Sequence, residues 1–200
     1  MSQQHQFVLA SSNQKKLAEL LAYLPEHFTL LTQSALDIPS PEETGTTFIE
    51  NAIIKARNAA QLSGLPAIAD DSGLEVDALQ GQPGIYSSRY AGVNASDSDN
   101  NAKLLAALAE VDETARTARF HCVIVLLRHA LDPVPMVATG CWPGVVLRAP
   151  RGEQGFGYDP VFFDPRLGRC AAELHPAEKI RVSHRGQALR QLQQLLARAG

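Results

Sequence analysis

The stretch RFHCVIVLLRH (residues 119–129) is the strongest strand signal in the chain, because its centre is an unbroken run of apolar residues. A second apolar stretch, VPMVATGCWPGVVL (134–147), follows it after a Leu-Asp-Pro turn at residues 131–133. Strands joined by so short a turn form an antiparallel hairpin. Antiparallel pairing is therefore predicted for this half of the protein.

The opening of the chain instead alternates strand and helix. FVLA (7–10) predicts a short buried strand, the polar SSN (11–13) interrupts it, and leucines at helical spacing between Gln14 and Leu24 predict a helix that Pro25 stops. Alternation of strand and helix needs crossover connections, which join parallel strands. Together with the hairpin, this predicts an α/β fold around a mixed sheet with flanking helices.

The rest of the chain adds further elements without any repeat, low-complexity tract or linker, so residues 1–200 are interpreted as a single domain. The predicted elements are a helix over about 47–62, a strand over 66–69 that ends at two aspartates, a short strand over 74–79, a loop over 80–100, a helix over 102–111, and a last helix with Leu189, Leu192, Leu196 and Ala199 on one face.

Composition excludes several classes of function. The net charge of −3 argues against a broad nucleic-acid surface, although a small anionic ligand needs only a few local cations. The three cysteines are far apart and form no CxxC pair, which fits a reducing compartment. The N-terminus has neither a basic start nor a long apolar stretch, so no signal peptide is expected. We expect a cytoplasmic enzyme-sized domain that contacts neither nucleic acid nor membrane.

Adjacent aspartates at residues 70 and 71 repel each other unless a positive group lies beside them. The predicted strand end is the edge at which open α/β sheets bind ligands. Carboxylate oxygens suit Mg²⁺, and one of these aspartates with Glu42 or Glu43 would supply such a site. The structural alternative is an acidic turn, but Ser72 and Gly73 permit close approach of a ligand to the backbone and favour a functional site.

Two further segments carry donors suited to an anion. SSNQKK (11–16) lies where a strand leads into a helix, so free backbone N–H groups and the positive end of the helix dipole meet there. On this segment alone a helix cap with exposed lysines is the better interpretation. EKIRVSHRGQ (178–187) places Lys179, His184 and Arg185 within seven residues, a donor cluster that suggests an acceptor-rich ligand.

The glycine-rich GFGYDPVFF (155–163) combines aromatic rings with Asp159. An aromatic ring on such a loop can stack on a planar base. The alternative is that these rings belong to the core, and for Phe162 and Phe163 this is the better interpretation.

Six segments, in this order along residues 7–197, resemble the inosine triphosphate pyrophosphatase family, and its bacterial XTP/dITP branch in particular. They are SSNQKK, EETGTTFIENAIIKA, IADDSGLEVDALQGQPGIYSSRYAG, RFHCVIVLLRH, GFGYDPVFF and EKIRVSHRGQAL. One departure is SSN where the bacterial relatives usually have TGN, although Ser11, Asn13 and Lys16 satisfy the broader family pattern.

The resemblance implies an elongated fold of two lobes, an active site in the cleft between them, and a homodimer. It implies that Asp71 is the general base and a metal ligand, that Glu42 or Glu43 is the second metal ligand, and that the metal is Mg²⁺. The substrate-binding residues that it implies are Ser11, Ser12, Asn13, Gln14, Lys15, Lys16, Lys55, Ser72, Phe156, Gly157, Tyr158, Asp159, Lys179, His184 and Arg185.

The expected reaction is attack of water on the α-phosphorus of ITP, dITP or XTP, which releases pyrophosphate and leaves the monophosphate. Such an activity would keep these bases out of DNA and RNA. Donors from Lys179, His184 or Arg185 would pair with the C6 oxygen of the base and mismatch the amino group of adenine. The alternatives are a pyrophosphatase of different base specificity, such as one for modified pyrimidines, and a nucleotide-binding regulator without turnover.

Overall fold

The structure is a computed structural model that describes residues 5–11, 20–21, 23–24 and 28–199. Most of the helix predicted between Gln14 and Leu24 lies outside the described residues. The described helices and strands are β1 (His5–Leu9), β2 (Phe28–Thr32), α1 (Phe48–Ser63), β3 (Ala67–Val76), α2 (Asp97–Ala107), β4 (Thr117–Leu127), β5 (Met136–Val146), β6 (Phe162–Asp164), β7 (Arg169–Cys170), α3 (Pro176–Val182) and α4 (His184–Ala199).

The described strands form one seven-stranded sheet in the order β2-β1-β3-β4-β5-β6-β7. β1 pairs in parallel with both β2 and β3, whereas β6 pairs antiparallel with β5 and with β7. The predicted α/β fold with a mixed sheet is therefore confirmed. None of the helices in the described ranges is long and apolar enough to cross a membrane.

Helix α1 has the bounds that its local signals predict. The Thr47 side chain accepts a hydrogen bond from the Glu50 N–H while the Glu50 carboxylate accepts one from the Thr47 N–H, and Gly64 ends the helix at a φ of 71°. Such a cap stabilises a helix by about 1 kcal/mol. The buried face carries alanines, which let α1 pack closely in the core.

The predicted end of the strand at the two aspartates is wrong, because β3 runs without interruption from Ala67 to Val76. Leu74 and Val76 are fully buried, and burial of these side chains stabilises the extended backbone beyond the aspartates. β1 nevertheless ends at Leu9, whose partner is Ile68. Asp70 and Asp71 therefore lie just past the end of the parallel neighbour β1, but in the middle of their own strand β3.

The boundaries predicted for helix α2 are also wrong. Ser96 and Asp99 form a capping box, so the helix begins at Asp97 inside the predicted loop, and it ends at Ala107 rather than at residue 111. The rest of that predicted loop includes a 3-10 helix over Gly84–Arg89.

The chain divides into two compact units. The first unit comprises the described parts of 1–71, 122–139 and 188–200, and the second comprises 72–121 and 140–187. Each has its own apolar core: alanines of α1 pack with strand residues such as Val125 in the first, and Trp142 and Phe162 pack with α2 in the second. Phe162 thus belongs to the core, as predicted.

Candidate active site

In the first unit, Lys55 brings together two of the predicted acidic residues. Its Nζ lies 2.8 Å from Asp71 Oδ1 and 3.2 Å from Glu43 Oε1. Lys55 projects from α1, Asp71 belongs to β3, and Glu43 precedes α1. Asp70 adds its charge to the same group, which we call the carboxylate–lysine cluster (Glu43, Lys55, Asp70 and Asp71).

The four residues of the cluster together carry an excess of negative charge, because its three carboxylates outnumber its one ammonium when all are ionised. Burial lowers the pKa of Lys55, but the carboxylates outweigh it and the net pKa is raised. Burial raises the pKa of Asp71; Lys55 opposes this, and the charges of Glu43 and Asp70 add to it. Lys55 therefore stays protonated, and Asp71 is a stronger base than an exposed aspartate.

The cluster suits a divalent cation. Asp71 Oδ1 accepts a hydrogen bond from Lys55, but Oδ2 is buried without a hydrogen-bond partner among the described residues. An unpaired buried acceptor is costly unless a ligand or an ion satisfies it. The described ranges contain no group of three or more metal-ligating side chains. Mg²⁺ is commonly held by one or two carboxylates together with substrate phosphates, and Asp71 with Glu43 matches that pattern.

The segment that carries Glu43 is held in place by α1. Asn51 is fully buried, and its Oδ1 accepts a hydrogen bond of 2.8 Å from the Gly45 N–H. A Cβ atom at Gly45 would lie 2.6 Å from Asn51 Oδ1, so this close approach requires glycine. Glu42 is exposed, whereas Glu43 faces Lys55. Anchoring of this segment by Asn51 was not predicted from the sequence.

In the second unit, the predicted donors gather around Phe156. The Asp159 carboxylate accepts a hydrogen bond of 2.8 Å from the Phe156 N–H and forms an ion pair with Lys179 Nζ. Lys179 Nζ lies 4.9 Å from the centroid of the Phe156 ring, and Arg185 Cζ lies 5.7 Å from it. Arg185 Nη2 is 3.5 Å from Ser72 Oγ. We call these five residues the cation–aromatic cluster.

Two predicted ligand-binding side chains of this unit lie deeper. The Tyr158 ring packs in the core, its hydroxyl donates a hydrogen bond of 2.8 Å to the Ser87 carbonyl, and burial raises its pKa. The ring of His184 stacks on Phe120 at a centroid distance of 4.7 Å. Phe156 is only partly buried, so its ring is better placed than that of Tyr158 to meet a base.

Two glycines shape the segment around Phe156. Gly155 and Gly157 have φ angles of +82° and +62°, which side-chain-bearing residues rarely adopt. A Cβ at Gly155 would also lie 2.0 Å from Asp159 Oδ2. The glycines therefore permit the turn in which the Asp159 carboxylate reaches back to the Phe156 N–H.

Of the predicted phosphate-binding segment SSNQKK (11–16), the structure describes only Ser11. Ser11 follows Ala10, whose N–H donates a hydrogen bond of 2.8 Å to the Ile68 carbonyl at the end of the β1–β3 pairing. Ser12, Asn13, Gln14, Lys15 and Lys16 lie outside the described residues.

The chain is similar to known proteins over nearly its whole length. The sequence pattern of the Ham1 family matches residues 7–195. The dITP/XTP pyrophosphatase of Vibrio cholerae is 58% identical over 186 residues, which cover 92% of this chain and 93% of the relative. The dITP/XTP pyrophosphatase of Escherichia coli O157:H7 is 57% identical over 186 residues, which cover 92% and 94%.

Solved structures agree with the sequence comparison. A HAM1 protein from Coxiella burnetii has a TM-score of 0.93 and 51% identity, covering 97% of this chain and 99% of that chain. The Ham1 protein of Staphylococcus aureus has a TM-score of 0.88 and 41% identity, covering 98% and 100%. The motifs, the mixed sheet and these similarities agree, and the chain belongs to the Ham1 family.

Proposed function

We propose that the protein hydrolyses the non-standard purine nucleoside triphosphates dITP, XTP and ITP to the monophosphate and pyrophosphate, and so removes them from the nucleotide pool. The observation that carries the proposal is the carboxylate–lysine cluster, in which one buried oxygen of Asp71 has no hydrogen-bond partner in the described part of the chain and the other accepts from the Lys55 ammonium. The names of relatives with 57% and 58% identity support dITP and XTP as substrates.

In this proposal the first unit acts on the triphosphate. Asp71 and Glu43 would hold Mg²⁺, which supplies charge neutralisation for the phosphates. Asp71, with its raised pKa, orients the attacking water and accepts its proton. Lys55 stabilises the charge that develops on the departing pyrophosphate. Transfer of a phosphoryl or nucleotidyl group is catalysed mainly by such positioning and charge stabilisation, which these residues would supply.

The second unit would select the base. The Phe156 ring offers a stacking surface, and Lys179 and Arg185 supply donors beside it. Hypoxanthine and xanthine carry an acceptor oxygen at C6, whereas adenine carries an amino group there. A site built on hydrogen bonds rejects a mismatched analogue by roughly 10⁴-fold. Adenine nucleotides should therefore be poor substrates.

The proposal also includes a homodimer in the cytoplasm, with no nucleic-acid or membrane partner. The net charge of −3 supports the absence of a nucleic-acid surface. The family resemblance supports the dimer and Mg²⁺.

Pyrophosphate release from dITP, XTP, ITP, GTP and ATP with Mg²⁺ tests the proposal, with Asp71→Asn as the informative variant and Asp70→Asn as its neighbour control. We expect release from the first three, and loss of a general base should lower kcat by about 10²–10⁴-fold in Asp71→Asn. Asp70→Asn should lower kcat much less than Asp71→Asn does. Tight binding of ITP without release by the unmodified protein would favour a regulator, and release from modified pyrimidine nucleotides alone would favour the other specificity.

A further inference from the structure

We propose that Asp97 and Asn101 are positioning residues for base selection, which act by holding Gly157 and, through it, the Phe156 ring. This inference rests on the proposed function of the second unit. Neither residue belongs to the predicted ligand-binding set. Both lie on α2, in contact with the glycine-rich segment 155–159.

The two side chains hold both backbone polar groups of one residue. The Gly157 N–H donates a hydrogen bond of 2.6 Å to Asp97 Oδ2. Asn101 Nδ2 donates one of 2.8 Å to the Gly157 carbonyl, and another of 2.8 Å to the Asp97 carbonyl one helical turn earlier. Because an N–H and a carbonyl of the same residue point in different directions, bonds to both restrict its rotation as well as its position.

Gly157 is a point at which rotation would matter. It separates Phe156, whose N–H is bound by Asp159, from Tyr158, which is anchored in the core. Its φ of +62° is accessible to glycine at little cost, and a glycine also has the widest choice of other backbone conformations. The bonds from α2 therefore select one orientation of a flexible residue and thereby set where the Phe156 ring lies.

The same helix offers a matched control at the adjacent residue. Asn100 is buried like Asn101, with 3% and 8% of their surfaces exposed. Asn100 Oδ1 accepts a hydrogen bond of 2.8 Å from the Ala91 N–H, and its Nδ2 donates one of 3.2 Å to the Ser88 carbonyl. Asn100 thus ties α2 to residues 88–91, whereas Asn101 ties it to Gly157. Loss of either amide should cost a similar amount of stability.

The test compares Asn101→Ala, Asn100→Ala, Asp97→Ala and Asp97→Asn for melting temperature and for kcat and KM with ITP and ATP. Loss of one hydrogen bond changes an equilibrium constant by about three- to tenfold, so Asn101→Ala and Asp97→Ala should raise the KM for ITP by about that factor. They should also reduce the ratio of kcat/KM for ITP over ATP. Asp97→Asn retains an acceptor oxygen while losing the charge, and should keep the ratio of the unmodified protein.

Asn100→Ala should lower the melting temperature without changing the ITP-to-ATP ratio. The inference is overturned if Asn101→Ala and Asn100→Ala change the ratio equally, or if Asn101→Ala leaves it unchanged while lowering the melting temperature. Failure of the proposed function looks different, because the unmodified protein would then release no pyrophosphate from ITP.

Discussion

The carboxylate–lysine cluster of the first unit and the cation–aromatic cluster of the second have opposite charge balances. Three carboxylates and one ammonium give the first a net charge of −2 when ionised. Lys179 and Arg185 against Asp159 give the second a net charge of +1. The first is suited to bind a divalent cation, and the second is suited to bind neutral or anionic acceptors. In the proposed function, the first cluster would act on the phosphates and the second would recognise the base.

Among the variants that contrast the two clusters, the largest effect is expected from removing the Lys55 ammonium of the first. Lys55→Met removes the ammonium that Asp71 and Glu43 share and with it charge stabilisation of the reaction, so we expect kcat to fall by about 10²–10³-fold. Arg57→Met, at an exposed position of the same helix, is the control and should leave kcat unchanged. A Lys55→Met enzyme with normal kcat and only a raised KM would assign Lys55 to binding alone.

The second cluster should respond differently to the loss of its ring. Base–aromatic stacking is worth about 1–3 kcal/mol, so Phe156→Ala should raise KM roughly tenfold or more while kcat changes little. Phe163→Ala, in β6 of the same unit, serves as the control and should leave KM unchanged. If Phe156→Ala instead lowered kcat as Lys55→Met does, the separation of chemistry and recognition between the clusters would be wrong.

The two clusters also differ in how far the sequence predicts them. Helix α1 and its caps follow from local signals, and these bring Lys55 to the face that carries Asn51. The ion pair of Lys55 with Asp71 spans sixteen residues, and only the resemblance suggested that both belong to one site. The continuous strand through the aspartates was missed, because burial of Leu74 and Val76, rather than local propensity, determines it.

The anchoring of the second cluster was harder to predict. Gly157 follows Asn101 by 56 positions and Asp97 by 60 positions along the chain. No local sequence pattern marks hydrogen bonds between residues so far apart. The start of α2 could have been predicted, since Ser96 and Asp99 are a capping-box pair in the sequence. That signal would have placed Asp97 on a helix rather than in the predicted loop, and Asn101 on the same helix.

The smallest expected effect distinguishes a core ring from a ligand-binding ring in the second unit. Tyr158→Phe removes one hydroxyl and leaves the Ser87 carbonyl without that hydrogen bond, so the free energy of unfolding should fall by about 1 kcal/mol. Because the ring itself remains packed in the core, KM for ITP should stay unchanged, in contrast to Phe156→Ala. Denaturant unfolding and steady-state kinetics on the same preparations measure both quantities. A raised KM with unchanged stability would place the Tyr158 hydroxyl on the substrate and make Phe156 only one of two rings in base recognition.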